Sequence, residues 1–328
     1  MSTELFSLAG RTALVTGSSR GLGHAIATGF AEAGAALILN GSDRDRLATA
    51  ASTLRDKGYK VTEAVFDVTN ESAVTSAFTT LDDAGIAIDI LVNNAGIQLR
   101  KPLVELSVAE WQRVIDTNLT SAFIVGREAA RRMIKRGKGG KVINIGSLTS
   151  EVARATVAPY TAAKGGIKLL TRAMAAEWAV HDIQANAIGP GYMVTEMNKA
   201  LIENPEFDAW VKGRTPARRW GKPEELVGAA VFLASAASAY VNGQIIYVDG
   251  GMLAVLRPFA FHCNPTEEVR CVQSLFTRRL TCGSKRSHLR PVRVLDRSRS
   301  PWQQAESAGP ISITTSTEDS ARSGSRNR

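Results

Sequence analysis

A short apolar strand, Arg11 to Thr16, runs into Gly17-Ser18-Ser19-Arg20-Gly21-Leu22-Gly23 and then into a helical pattern with Ile26, Phe30 and Ala33 on one face. Gly34 ends that helix, and Ala36-Leu37-Ile38-Leu39 reads as a second buried strand. Strand, glycine-rich turn, helix and strand make a βαβ unit, which commits the two strands to one parallel sheet. The glycines let the backbone pass close to a bound group at the helix N-terminus, where free N–H groups and the helix dipole favour a pyrophosphate. The spacing is T-G-x-x-x-G-x-G. A bare tight turn packed on the sheet would use the same glycines, so the turn alone does not settle a function.

The alternation continues along the chain. Helical patterns over Asp43 to Lys57, about Asn70 to Asp83, Ser107 to Arg136 and around Tyr160 alternate with apolar strands at Val61 to Phe66, Ile88 to Val92, Lys141 to Gly146 and Ile183 to Ile188. A further helix starts at Pro223, a favourable first helical position, and Gln244 to Val248 is the last strand. Seven apolar strands alternating with helices predict an α/β fold, a doubly wound parallel seven-stranded sheet of Rossmann type. Ligands of such sheets lie beyond the strand C-termini, where the glycine turn, Asn93-Asn94, Ser147 and Pro190-Gly191 all fall. These features converge on one pocket.

Charge and cysteine divide the chain in two. The 328 residues carry a net charge of +9, but residues 1–256 hold 27 basic and 25 acidic side chains, against 13 and 6 in residues 257–328. A nearly neutral body argues against a nucleic-acid-binding surface there. Cys263, Cys271 and Cys282 all lie in the tail, without paired metal-ligand spacing, so the body has no disulfide framework or thiolate zinc site and no metal is assigned. The N-terminus lacks a signal-peptide pattern and no apolar run reaches the roughly 20 residues of a membrane span. The expectation is a single soluble, cytoplasmic domain over 1–256 followed by a tail.

The tail is rich in arginine and serine, with 12 and 11 of its 72 residues, and has no sustained periodicity. Disorder is its expected state, since little surface is available to offset ordering. A basic nucleic-acid-binding arm, a fused regulatory piece, and a read-through or frameshifted extension remain alternatives; no nucleic acid is expected as a partner. Truncation after Leu256 is expected to leave activity equal or higher.

Within the body, Tyr160 and Lys164 stand four residues apart on one helical face, thirteen residues beyond Ser147. An ammonium beside a phenol favours phenolate and lowers its pKa from about 10, so Tyr160 can trade a proton with an alcohol or ketone near neutral pH. Ser147, at a strand end, can donate to the carbonyl oxygen. Alone, the Tyr–Lys pair is a common helix-surface coincidence.

Taken together, Thr16-Gly17-x-x-x-Gly21-x-Gly23, Asp67, Asn93-Asn94-Ala95-Gly96, Asn118, Ser147, Tyr160-x-x-x-Lys164 and Pro190-Gly191 resemble the short-chain dehydrogenase/reductase family over about residues 6–256. The resemblance implies an NAD(P)-dependent oxidoreductase interconverting a ketone and a secondary alcohol by hydride transfer. It implies catalytic roles for Asn118, Ser147, Tyr160 and Lys164. Asn118 would hold a water linking Lys164 to solvent, or simply cap a break in its helix. Cofactor contacts are implied for Gly17, Ser19, Arg20, Gly21, Leu22, Gly23, Asn40, Asp67, Val68, Asn94, Ala95, Gly96, Tyr160, Lys164, Pro190 and Gly191, with Asn93 lining the adenosine side. Segments such as Ala95-Gly96-Ile97-Gln98, Ala158-Pro159-Tyr160 and Arg214-Thr215-Pro216-Ala217 further resemble the gluconate 5-dehydrogenases, which implies 5-keto-D-gluconate and D-gluconate as the substrate pair. A 3-oxoacyl-(acyl-carrier-protein) reductase, another sugar or ketone reductase, or a non-catalytic binding protein are the alternatives.

NADP(H) is favoured over NAD(H). The end of the second strand, where a carboxylate would hold a ribose diol, carries Asn40, and Arg20 in the turn can attract a 2′-phosphate. Ser42 stands where many NADP-dependent relatives have a second arginine; Arg44 is the candidate substitute, or else a solvated helix residue. For a sugar acid, Ser147, Tyr160, Arg154, Gln98 and Arg100 are the expected substrate contacts, with Glu151 and Tyr192 nearby. Glu151 with Arg154 would otherwise be a local salt bridge. The loop from Tyr192 to Arg214 is expected to be a lid, and the family's usual tetramer, or a dimer, is the expected assembly.

Overall fold

The computed structural model describes residues 3–255, and the expectations for 257–328 lie outside these residues. Strands β1 (Thr12–Val15), β2 (Ala36–Gly41), β3 (Val61–Val65), β4 (Ile90–Asn93), β5 (Gly140–Ile145), β6 (Ile183–Pro190) and β7 (Ile245–Val248) form one sheet in the order β3-β2-β1-β4-β5-β6-β7. Every neighbouring pair is parallel. The order reverses direction on either side of β1, so a crevice opens between the C-terminal ends of β1 and β4. Register holds those ends level: Val15 pairs with Leu39 on one side and Val92 on the other.

Helices α1 (Gly21–Glu32), α2 (Arg44–Arg55), α3 (Glu71–Asp83), α4 (Val108–Ile115), α5 (Ser121–Arg136), α6 (Ala158–Trp178), α7 (Lys199–Ile202), α8 (Pro205–Arg214) and α9 (Val227–Ala234) complete the described chain. Local sequence sets several of their starts. Asp43 and Asn70 accept the backbone N–H of Arg46 and Ala73 at 3.0 Å and so cap α2 and α3. One sheet face buries Ile26 and Phe30 of α1, Leu47 and Leu54 of α2 and Leu233 of α9. The other buries Phe78 of α3, Met133 of α5 and Met174 of α6. Each such side chain contributes roughly 1.5–3 kcal/mol. Burial on both faces is why the strands read as continuous apolar runs.

Three details differ from the sequence reading. The helix expected over 107–136 is interrupted by a π-helical turn, Asp116–Thr120, which places Asn118 out of the regular spacing. The helix expected at Pro223 opens as a 3-10 turn, Pro223–Leu226, before α9. The segment after Tyr192, expected as a loop, contains α7 and α8. Asn204 caps α8 by accepting from Glu206 and Phe207, and Pro205 takes the first helical position.

Candidate active site

The C-terminal ends of β1, β2, β4, β5 and β6 enclose a cavity of about 710 Å³. Its cofactor end is built by the glycine turn. Gly17 and Gly21 have φ of +60° and +61°, a backbone that side chains rarely adopt. A Cβ on Gly23 would lie 2.5 Å from both Asn94 Nδ2 and the Gly17 carbonyl. Gly23 therefore does not line the cavity; it lets the first turn of α1 close against Asn94. Ser19, Arg20, Gly21 and Leu22 do line it. Asn94 donates to the carbonyls of Thr16 (2.9 Å) and Gly17 (3.0 Å), and Thr16 Oγ1 accepts from the Asn94 and Ala95 backbone. The β1 and β4 ends are thus one hydrogen-bonded unit, with a cradle only glycine can form.

Asn40 sits at the end of β2 as expected, nearly fully buried, and is more than a neutral stand-in for a carboxylate. Its amide donates to the carbonyls of Ala64 (3.0 Å) and Phe66 (3.1 Å), and its Oδ1 accepts from Gly17 N–H (3.3 Å). A carboxylate could not face those two carbonyls without repulsion. Asp67 accepts from Thr69 N–H (2.9 Å) and hydroxyl (2.8 Å) through one oxygen, and lines the cavity with Val68. Ser42 and Arg46 also line this end. Arg44, the residue named from sequence as a second cation, does not; Arg46, two residues further into α2, does. Asn93 is not a cavity residue either. It is buried and donates to Asn144 Oδ1 (2.9 Å) and the Ala122 carbonyl (3.3 Å), joining β4 to β5 and α5.

The chemical centre lies at the ends of β5 and β6. Ser147, Tyr160 and Lys164 line the cavity with Ala95, Gly96, Asn118, Pro190 and Gly191. Gly191 is required by close approach, since a Cβ there would meet Asp249 Cα at 2.6 Å. Ser147 is extended at the strand end, its Oγ accepting Thr149 N–H at 3.2 Å. Tyr160 stands on the first turn of α6, after Pro159, and Lys164 one turn on. Lys164 is buried and donates to the Ile145 carbonyl at 2.6 Å, its Nζ 5.5 Å from the Tyr160 ring centre.

The electrostatics correct the simple picture of a lysine depressing a tyrosine. Burial pushes the Tyr160 phenol up from its ordinary value, opposed by a hydrogen bond with Ser147. Lys164 gives its hydrogen bond to the Ile145 carbonyl. Its own pKa is lowered to about 8 by burial. The pair therefore holds a protonated phenol beside an ammonium poised near neutral pH.

Asn118 lines the cavity, but its side-chain amide is committed: it donates to the carbonyls of Ile97 (2.9 Å) and Val114 (2.8 Å) and accepts from Ile97 N–H (3.2 Å). A Cβ on Gly96 would collide with it at 2.6 Å. The π-turn residue thus ties the α4–α5 junction to the loop after β4.

On the substrate side, Gln98, Arg154 and Tyr192 reach the cavity. Arg100 does not line it; its guanidinium donates to Gln98 Oε1 (2.7 Å) and the Met197 carbonyl (3.4 Å), and burial together with Arg154 lowers its pKa. Glu151 points elsewhere, pairing with Lys168 and accepting from the Tyr247 hydroxyl at 2.7 Å. It does not bridge to Arg154. The segment after Tyr192 folds over the cavity as a roof: the Tyr192 ring meets Phe207, Trp210 and Trp220 edge-on at 5.5–5.7 Å. Thr195, Glu196 and Leu201 of that roof line the cavity and had no signal in the sequence.

Residues 17–253 match the family model described as enoyl-(acyl carrier protein) reductase, and the chain belongs to this branch of the short-chain dehydrogenase/reductase family. It is 50% identical over 253 residues to the gluconate 5-dehydrogenase of Gluconobacter oxydans (strain 621H), covering 77% of this chain and 98% of the relative. A solved structure from Agrobacterium tumefaciens is 70% identical with a TM-score of 0.76, covering 77% of this chain and 99% of that one. A gluconate 5-dehydrogenase from Burkholderia cenocepacia J2315, solved in complex with NADP and tartrate, is 49% identical with a TM-score of 0.75 over the same shares. Among the described residues no helix is long and apolar enough to cross a membrane, and no cluster of potential metal ligands occurs.

Proposed function

We propose that the chain is an NADP(H)-dependent oxidoreductase interconverting 5-keto-D-gluconate and D-gluconate. The observation that carries the reading is the single cavity that joins the glycine cradle to Ser147, Tyr160 and Lys164. The cradle fits a dinucleotide: Gly17 and Gly21 open the turn, Asp67 keeps one carboxylate oxygen free of the Thr69 turn, and Arg20 with Arg46 supplies positive charge beside the uncharged Asn40. When bound, the nicotinamide supplies or accepts the hydride. Tyr160 gives its phenolic proton to the oxygen of the reduced ketone and, in the oxidative direction, takes the alcohol proton. Ser147 donates to that oxygen and fixes the carbonyl. Lys164 keeps positive charge beside the phenol. The water expected of Asn118 must be held by groups other than its amide hydrogens, which are occupied.

Support for a sugar acid comes from Gln98 and Arg154 in the cavity and from the tartrate, a hydroxy-carboxylate, in the Burkholderia relative. Assembly as a homotetramer or homodimer in the cytoplasm goes with this reading. The test is consumption of NADPH absorbance with 5-keto-D-gluconate against an acetoacetyl thioester. The keto acid is expected to turn over and the thioester to react at least tenfold more slowly per kcat/KM. A preference for the thioester would overturn the substrate assignment.

A further inference from the structure

Glu196 places a carboxylate at the cofactor end of the cavity, where hydride transfer requires none. It opens the first turn of the roof, Glu196–Asn198, and this turn is fastened at three points. The Glu196 carboxylate pairs with the Arg20 guanidinium of the glycine turn. The Met197 carbonyl accepts from Arg100 at 3.4 Å, and Asn198 donates to the Met193 carbonyl at 2.9 Å. The roof is therefore tied to the glycine turn through an acid of its own chain.

Two arginines line this end, and their acidic partners differ in kind. Arg46 faces Asp43 at 3.6 Å, but Asp43 also caps α2 by accepting Arg46 N–H at 3.0 Å, so it cannot leave without unravelling a helix start. The Glu196 carboxylate has no second hydrogen-bonding partner among the described residues, and the side chain is 66% exposed. It is the carboxylate free to move. A phosphate arriving at Arg20 competes with it for the same guanidinium, because Nη1 is already engaged by the carboxylate and the fork cannot then present both arms to a second anion. An uncharged ribose diol makes no such demand.

We propose that Glu196 is a specificity-determining residue: an internal counter-ion on Arg20 that a 2′-phosphate must displace. It restrains binding of 2′-phosphorylated nucleotides, leaves unphosphorylated ones unaffected, and on displacement releases the roof's first turn from the glycine turn. The inference rests on the reading of Arg20 as a phosphate ligand. The test uses the nucleotide halves, 2′,5′-ADP and 5′-AMP, which lack the nicotinamide and so separate the phosphate from the rest of the roof. Titration calorimetry of the full chain with Glu196→Gln and Glu196→Ala is expected to give 2′,5′-ADP binding about two- to fivefold tighter in both variants at low salt, the range of an exposed ion pair. Binding of 5′-AMP is expected to be unchanged, and the gain is expected to shrink at about 0.5 M salt. NADPH and NADH dissociation constants should divide in the same way. Equal shifts for both nucleotides, or none for 2′,5′-ADP, would overturn the inference while leaving the cofactor reading intact. A wild-type chain that binds 5′-AMP as tightly as 2′,5′-ADP would remove the 2′-phosphate from Arg20, and with it both the NADP(H) reading and the role of Glu196.

Discussion

The floor and the roof of the cavity are held by different physics. The floor is made of buried or half-buried side chains hydrogen-bonded to backbone: Asn40 bridges three residues, Asn94 two strands, Asn118 a helix junction and a loop, and Lys164 is anchored on Ile145. Removing one partner there leaves a buried polar group unpaired, at about 1–3 kcal/mol. The base of the roof is bonded through backbone, Val194 N–H to the Gly221 carbonyl at 2.8 Å, but its edge is held by an exposed ion pair, Arg20–Glu196, one long contact from Arg100, and the edge-on rings around Tyr192. Exposed ion pairs contribute about 0–1 kcal/mol and each ring pair about 0.5–1.5 kcal/mol. A rigid floor holds Ser147, Tyr160 and Lys164 in place, and a roof edge fastened by small, separable contacts can open. On the proposed function, reaction type belongs to the first and substrate selectivity to the second.

That division predicts that floor changes act on kcat and stability and roof changes on KM. The largest effect is expected from Tyr160→Phe, which removes the proton donor and keeps the ring. kcat should fall by about 10²–10⁴, the usual contribution of a general acid, with NADPH affinity within a fewfold of wild type. Single-turnover rates with fluorescence titration of NADPH check it, and turnover near wild type would remove Tyr160 from the proton-transfer role.

A second, smaller effect concerns Lys164. Its folded pKa of about 8 lies below its ordinary 10.5, so between these values the unfolded chain binds more protons and stability rises with pH. Below pH 8 the cost of holding a buried ammonium is present in full, on the order of 3 kcal/mol. The unfolding free energy of Lys164→Met, measured against wild type from pH 6 to 10, should therefore be most favourable to the variant at the acid end and lose that advantage as pH rises. Lys141, also lowered to about 8 by burial, is common to both proteins and cancels. Parallel profiles would show that Lys164 is not desolvated in solution.

The same contrast explains what could be read from the chain. The floor was legible because its chemistry is local and forced: Gly17 needs a positive φ, Ser147 ends an apolar strand, and Tyr160 with Lys164 repeats at helical spacing. The sheet followed from apolar runs buried on both faces. Legibility failed where a side chain's partner is distant in sequence. Asn93 and Asn94 are adjacent, yet one pairs with its cross-strand neighbour Asn144 inside the sheet and the other, just past the strand end, reaches the glycine turn. Arg46, two residues further along α2 than Arg44, reaches the cavity, and Glu151 is drawn away by Lys168 and Tyr247. The lowering of the Tyr160 pKa expected from Lys164 was reversed by burial, which spacing does not report. The roof helix α8 carried a start signal in Asn204-Pro205, but the roof's tie to Arg20 runs through Glu196, which lies far from it in sequence.

The smallest effect tests the roof side. The Arg154 guanidinium lies 5.2 Å from the Phe207 ring centre, with Nη1 3.5 Å from the Tyr192 hydroxyl, so it is sandwiched between the cavity and two roof aromatics. A planar guanidinium can stack on Phe207 while presenting paired N–H groups to a carboxylate; a lysine ammonium keeps the charge and loses both the stacking and the fork. Arg154→Lys should raise KM for 5-keto-D-gluconate about three- to tenfold with kcat within about twofold, the signature of binding lost equally from ground and transition states. A neutral ketose of similar length should show no such rise, because it offers no carboxylate. Steady-state kinetics with the two substrates decide the matter. A fall in kcat of tenfold or more, with KM unchanged, would place Arg154 with the floor and dissolve the division between a part that reacts and a part that selects.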